Sequence, residues 1–139
     1  MDFEVFSVTP DTLHRFERVA AEAFDDEIDS DLLQAFIADP SHHMVCAFAD
    51  NMVMGQARGV LVRNPDGPPS LYIDNVGVAP RWIGKGVATA LLDALIGWGQ
   101  SQGAKSSWVL TETDNTIAVG LYNKLGLAHR RVMICESAE

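Results

Sequence analysis

At 139 residues, 47% of them hydrophobic and 21% charged, the chain predicts one globular domain over 1–139, long enough to bury a core. Nineteen acidic against ten basic side chains give a formal charge of −9, which argues against nucleic acid, whose phosphates such a surface repels. No apolar run approaches the ~18 residues of a membrane span and no basic-then-apolar stretch suggests a leader, so a cytoplasmic protein without membrane contact is expected. Cys46 and Cys135, the two cysteines, belong to no metal-ligand pair and are expected to be reduced and buried.

In chain order, Phe3 to Val8 alternates apolar with polar and predicts a strand. Thr9-Pro10 is a hydroxyl cap followed by proline at the first helical position, which predicts a helix to about Phe24. A second, short helix is expected from Ser30 to Asp39-Pro40. Met44–Ala49 and Val53–Val62 predict an antiparallel pair turning at Asp50-Asn51. The loop Asn64 to Pro69 leads to an apolar strand, Leu71–Val78, which Ala79-Pro80 ends because proline has no ladder hydrogen to give. From Gly84 the period becomes 3.6, with Val87, Leu91, Ala94, Leu95 and Trp98 on one helical face and Gly103 as its stop. A strand at Ser107–Thr111, a helix capped by Thr113 or Asp114 and closed by Gly126, and a last strand at Leu127–Cys135 complete the chain.

The stretch between strand and helix, Ile83-Gly84-Lys85-Gly86-Val87-Ala88, carries the chemistry. The first turn of a helix has amide hydrogens without intrahelical partners, and its dipole favours negative charge. Glycine and alanine leave those amides uncovered, so a phosphate can reach them. The spacing is wrong for a Walker loop, with Gly77 seven residues before Gly84 and Gly86 where a hydroxyl belongs. It is wrong for a dinucleotide fingerprint too, with Thr89 at the third glycine.

The strand, the Val-x-Val-x-Pro exit, the glycine turn and the following helix resemble motif A of the GCN5-related N-acetyltransferases. The family pattern, Arg or Gln followed by x-x-Gly-x-Gly/Ala, maps onto this turn with Ile83 where Arg or Gln is usual; Arg81 stands two residues upstream. Asn115 and the segment Leu121-Tyr122-Asn123-Lys124-Leu125-Gly126-Leu127 resemble motif B, with Leu127 for the more usual Phe. The resemblance implies an α/β fold in the order β-α-α-β-β-β-α-β-α-β. Its mixed sheet would have about six strands and a V-shaped splay between the central parallel strands. It also implies acetyl-coenzyme A as acetyl donor, no metal, and an amine acceptor of unknown identity. A homodimer is left open.

By the same resemblance, Gly84, Lys85, Gly86, Val87, Ala88 and Thr89 hold the diphosphate, backbone at Val76 and Val78 pairs with the pantetheine arm, and Asn115 supports it; the other readings are a solvated turn lysine for Lys85 and a plain helix-start residue for Asn115. Tyr122 is the expected general acid, with a packed core tyrosine as the other reading. An amine acceptor is mostly protonated at neutral pH, since a lysine-like group titrates near ~10.4, so a base is needed. Asp74, a carboxylate inside an apolar strand, is the first candidate and Glu112 the second; a structural tie to a neighbouring loop is the alternative for Asp74. His42 and His43 stand at a strand start where they would line an acceptor site or lie idle on the surface. Glu22-Ala23-Phe24-Asp25 with Leu32 and Leu33, Tyr72-Ile73-Asp74-Asn75-Val76 and Leu121 to Gly126 resemble, more weakly, aminoglycoside 3-N-acetyltransferases, although those carry an acid where Asn75 stands. The alternative from another class is a non-catalytic acyl-coenzyme A sensor.

Overall fold

The computed structural model describes residues 2–138. Strands β1 (Glu4–Ser7), β2 (His42–Ala49), β3 (Met52–Asn64), β4 (Gly67–Val78) and β5 (Ser106–Val109) form one sheet in that order. The first four pair antiparallel, and β4 pairs parallel with β5. Helix α1 (Ser30–Ala38) covers one face, α2 (Val87–Ser101) the other, and α3 (Thr116–Lys124) follows β5. The parallel β4–α2–β5 crossover is the unit that the sequence period predicts.

The apolar rows of the sheet explain the layering. Val45, Ala47, Ala57, Leu61, Leu71 and Ile73 pack beneath Val87, Leu91, Leu92 and Leu95 of α2. Each fully buried leucine or isoleucine there contributes about 1.5–3 kcal/mol relative to exposure. Phe6, Met44, Cys46 and Val53 point to the opposite face and meet Ala23, Phe24 and Leu33. Asp50 and Asn51 both take positive φ, 53° and 59°, the geometry of the two-residue hairpin turn that suits the twist of its strands. Helix α1 begins one residue earlier than a Ser30 cap would place it: Asp29, not Ser30, accepts the Leu32 amide at 2.9 Å. Among the described residues no helix is long and apolar enough to cross a membrane.

Four expectations are corrected. The first helix is a 3-10 segment, Pro10–Glu17, and stops well short of Phe24. Beyond it the backbone is recruited by β3, with the Val53 amide donating to Arg18 and the Ala20 amide to Val53. Those ladder-like bonds override local helix propensity. The loop before β4 shrinks to a turn at Pro65-Asp66, because Pro68 and Pro69 lie within β4, ahead of Ser70, the first residue to pair with β5. The strand expected at Leu127–Cys135 is absent, leaving five strands rather than about six. Val132, Met133 and Ile134 stay exposed in irregular backbone, since strand propensity stabilises only where a partner and a packed face exist. Finally, Cys46 is buried but Cys135 is exposed.

His43 lies flat on Trp98 of α2, ring centroids 4.3 Å apart, with its Nε2 3.1 Å from the Ser7 hydroxyl. Burial lowers its pKa from the ordinary 6.5. The unfolded chain therefore takes up the proton first on acidification. The stability due to the neutral ring is present above pH 6.5 and is lost as pH falls through the lowered folded value. A His43→Gln variant is expected to melt lower than the parent at pH 7.5 yet lose less in Tm on acidification to pH 5.5. Parallel Tm curves for the two proteins would exclude this role.

Candidate active site

The fork between β4 and β5 organises the site. Their ladder runs from Ser70↔Ser106 to Ile73↔Val109, whereas β4 remains paired with β3 as far as Val78↔Gly55. From Asp74 onward, the edge of β4 away from β3 is thus released from β5. The Ala79 amide donates to Met54 of β3 at 2.8 Å. Strand alternation then turns the main-chain groups of Val78 and Val76 the other way, into the fork. An extended ligand arm laid there can add to β4 as a strand would.

At the mouth of the fork the pairing also slips. Arg58 faces Asn75 and Gly59 faces Ile73, so Asp74 is an extra residue, a β-bulge. The bulge changes which residues face each side of the sheet. Before it, Ile73 joins the α2-side core; after it, Val76 and Val78 do, while Asn75 faces the α1 side. The side chain of Asp74 is about half exposed and lies beside Arg58, Oδ2 to Nε 3.6 Å.

The glycine turn lies where β4 feeds α2. Pro80–Trp82 forms a short 3-10 turn anchored by buried Trp82. Gly84 and Gly86 take φ of +81° and +84°, with open space where a Cβ would stand. Conformation rather than crowding therefore demands glycine. The first helical bond joins the Ala90 amide to the Gly86 carbonyl at 3.1 Å. The amides of Val87, Ala88 and Thr89 have no intrahelical acceptor, and no side chain caps them. Lys85 is exposed at the rim. Those amides and the positive end of the dipole suit a diphosphate. Arg81 does not fill the place of the guanidinium that Ile83 lacks: its Nη2 meets Asp50 at 3.2 Å.

Tyr122 and Asn115 come from α3. Tyr122 is half-buried and packs with Leu121 and Leu125 against the α2-side core to which Val76 and Val78 also belong. Burial raises its pKa above the usual 10, so its hydroxyl keeps its proton at neutral pH. The side-chain oxygen of Asn115 accepts the Ala118 amide at 3.1 Å and caps α3, the role expected of Thr113 or Asp114. Glu112 lies beyond the end of β5, exposed, and its carbonyl accepts the Asn115 amide. The structure thus sets Asp74, Val76 and Val78 along the open edge of β4, packs Tyr122 on the α2-side core, and leaves Glu112 on a loop. His42 and His43 separate to opposite faces, His42 against Phe36 and His43 against Trp98.

Sequence reasoning missed Gln56. It is fully buried, and its amide nitrogen donates to the Ala23 carbonyl at 3.2 Å and to Asn75 Oδ1 at 2.7 Å. A glutamine in the apolar run Met52-Val53-Met54-Gly55-Gln56-Ala57 was the available signal, because a buried amide requires partners. Gly77 makes this junction possible, since a Cβ there would collide with the Ala23 carbonyl.

A profile of the acetyltransferase (GNAT) family matches residues 9–127, and the chain belongs to that family. The mycothiol acetyltransferase of Renibacterium salmoninarum is 45% identical over 53 residues, 38% of this chain and 16% of that protein. The aminoglycoside N(6')-acetyltransferase type 1 of Salmonella typhimurium is 30% identical over 84 residues, 58% of each chain. The matches thus span less than two thirds of either relative. Among solved structures, an aminoglycoside acetyltransferase from an uncultured soil metagenomic sample superposes with a TM-score of 0.83 at 20% identity, covering 100% of both chains. The aminoglycoside acetyltransferase AAC(6')-Iy, bound to a coenzyme A–acetylneamine bisubstrate analogue, gives 0.81 at 20% identity over 99% of both. At such identity the likeness carries the fold alone.

The demand for left-handed backbone at the turn is testable without any ligand. Gly86→Ala is expected to lower the unfolding free energy by about 1–2 kcal/mol, measured by urea denaturation, although no atom obstructs the added methyl. An unchanged midpoint and slope would show that the turn relaxes to negative φ.

Proposed function

We propose that this protein transfers an acetyl group from acetyl-coenzyme A directly to the primary amine of a small cationic molecule or a peptide. The observation that carries this reading is the fork: released β4 backbone at Val76 and Val78, next to uncovered helix amides at Val87, Ala88 and Thr89. Acetyl-coenzyme A supplies the activated thioester. The residues present fit it: Gly84 to Thr89 for the diphosphate, with Lys85 adding charge at the rim, and the β4 edge for the pantetheine arm. One released amide polarises the thioester oxygen. Asn115, its oxygen engaged in the cap, has its NH2 left to support the arm.

The two titratable groups lie on opposite faces of the sheet, Asp74 on the α1 side and Tyr122 on the α2 side. Asp74, on the bulge, faces the acceptor and takes the proton of the attacking ammonium, directly or through water. Tyr122, still protonated through its half-buried setting, gives a proton to the departing sulfur. The carbon–nitrogen bond forms as the carbon–sulfur bond breaks; the second proton shed by the nitrogen restores Tyr122 through water, and Asp74 releases the first to solvent, so the proton count closes. The net charge of −9 is compatible with a cationic or amine acceptor.

Calorimetry with acetyl-coenzyme A, followed by thiol release with an amine panel, tests the reading. Binding with amine-dependent thiol release is the expected result; binding without turnover by any amine would leave the sensor function instead. Tyr122→Phe should cut kcat by about tenfold or more with cofactor affinity little changed. An undiminished kcat would remove Tyr122 from the chemistry. Asp74→Asn should lower kcat/KM at neutral pH by a similar factor; an undiminished kcat/KM would place the base elsewhere.

A further inference from the structure

A recess of about 200 Å³ opens on the α1 face of the sheet, lined by Phe36, His42, Arg58, Val60, Tyr72 and Asp74 among others. It borders the fork. Tyr72 pairs with Trp108 one step before the β4–β5 ladder ends, and Asp74 is the first residue past that end. Val76 lies two positions after Asp74, a rise of about 7 Å along the strand. An amine held at Asp74 is therefore within a short reach of the main-chain groups that face the fork.

The charges in this recess are not those of a site built for a polycation. Arg58 is partly buried, with 28% of its side chain exposed. Its ion-pair partner among the described residues is Asp74, met through Nε at 3.6 Å, longer than a hydrogen bond. The terminal guanidinium nitrogens are left to a planar anion, which arginine binds with two parallel bonds. The walls are apolar and aromatic. Tyr72 lies against Trp108, centroids 4.4 Å apart, and Phe36 meets the edge of His42 at 5.1 Å. The volume is below the ~300–1,000 Å³ typical of sites for drug-sized ligands, which excludes a multi-ring sugar from full enclosure.

We infer that this recess, given the transfer proposed above, selects an α-amino acid or other short α-amino carboxylate with an apolar side chain. The ammonium of such a molecule faces Asp74 and its carboxylate faces Arg58. An α-amino acid places its nitrogen about 2.5 Å from its carboxyl carbon. That opposed pair of charges matches an aspartate and an arginine side by side, each ligand charge replacing part of the long contact between the two side chains. The apolar side chain of the ligand lies against Phe36, Val60 and Tyr72, where it removes aromatic and aliphatic surface from water. Arg58 is a specificity residue here, and the same positive charge weighs against a polycationic acceptor.

The test is thiol release from acetyl-coenzyme A with L-phenylalanine, L-leucine, phenethylamine and kanamycin, alongside calorimetric titration of N-acetyl-L-phenylalanine. The carboxylate should raise kcat/KM for L-phenylalanine over phenethylamine by about tenfold to a hundredfold. Arg58→Met should bring that ratio near one and weaken N-acetyl-L-phenylalanine by a similar factor, with acetyl-coenzyme A affinity unchanged; Arg58→Lys should restore part of both. Turnover of kanamycin or phenethylamine at rates equal to L-phenylalanine would overturn the inference while leaving acetyl transfer standing. A ratio untouched by Arg58→Met would do the same. Failure to bind acetyl-coenzyme A, with no turnover of any amine and no binding of N-acetyl-L-phenylalanine, would overturn both.

Discussion

The site depends on a mismatch between two ladders that share one strand. β4 is held by β3 along nearly its whole length but by β5 over four residue pairs only. A strand paired on both edges has no main-chain groups to offer a ligand, and one paired on neither has no fixed position. Here one edge is fixed and the other is open from Asp74 onward. The fully buried residues of α2 and the tight approach of Gly77 to Ala23 keep β4 where it is. The position of the open edge is thus set by packing that lies outside the fork.

Two devices convert that edge into a site with distinct sides. The bulge at Asp74 reverses which residues face each layer, so a carboxylate enters the α1-side recess while the following valines face α2. The two left-handed glycines turn the chain so that α2 starts with its amides bare. An anion is favoured at one end of the fork and an ammonium at its mouth, with half-buried Tyr122 packed on the α2 side.

Much of this was legible in the sequence because it is local. The hairpin at Asp50-Asn51, the glycine turn, the period of α2 and the Gly126 stop all follow from residues within one turn of each other. What escaped depends on contacts between distant segments. The 3-10 segment ends because Val53, more than thirty residues on, captures the backbone near Val19. The bulge at Asp74 exists only in the register against Arg58 and Gly59, which no periodicity within β4 discloses. The Gln56 bridge to Ala23 and Asn75 is tertiary in the same sense. At Leu127–Cys135 the error ran the other way: apolar residues suggested a strand where the fold supplies no partner.

The two cysteines end in opposite environments. Cys46 is enclosed in the α1-side core, and burial pushes its thiol well above the usual range, so reagents that need a thiolate do not reach it in the folded protein. Cys135 stands in open backbone beyond the sheet. The native chain therefore presents one addressable sulfhydryl, distant from the glycine turn in sequence and free for a fluorophore or spin label. In any colour assay that traps liberated coenzyme thiol, the same sulfhydryl adds a stoichiometric background that an alkylated or serine-substituted protein would lack.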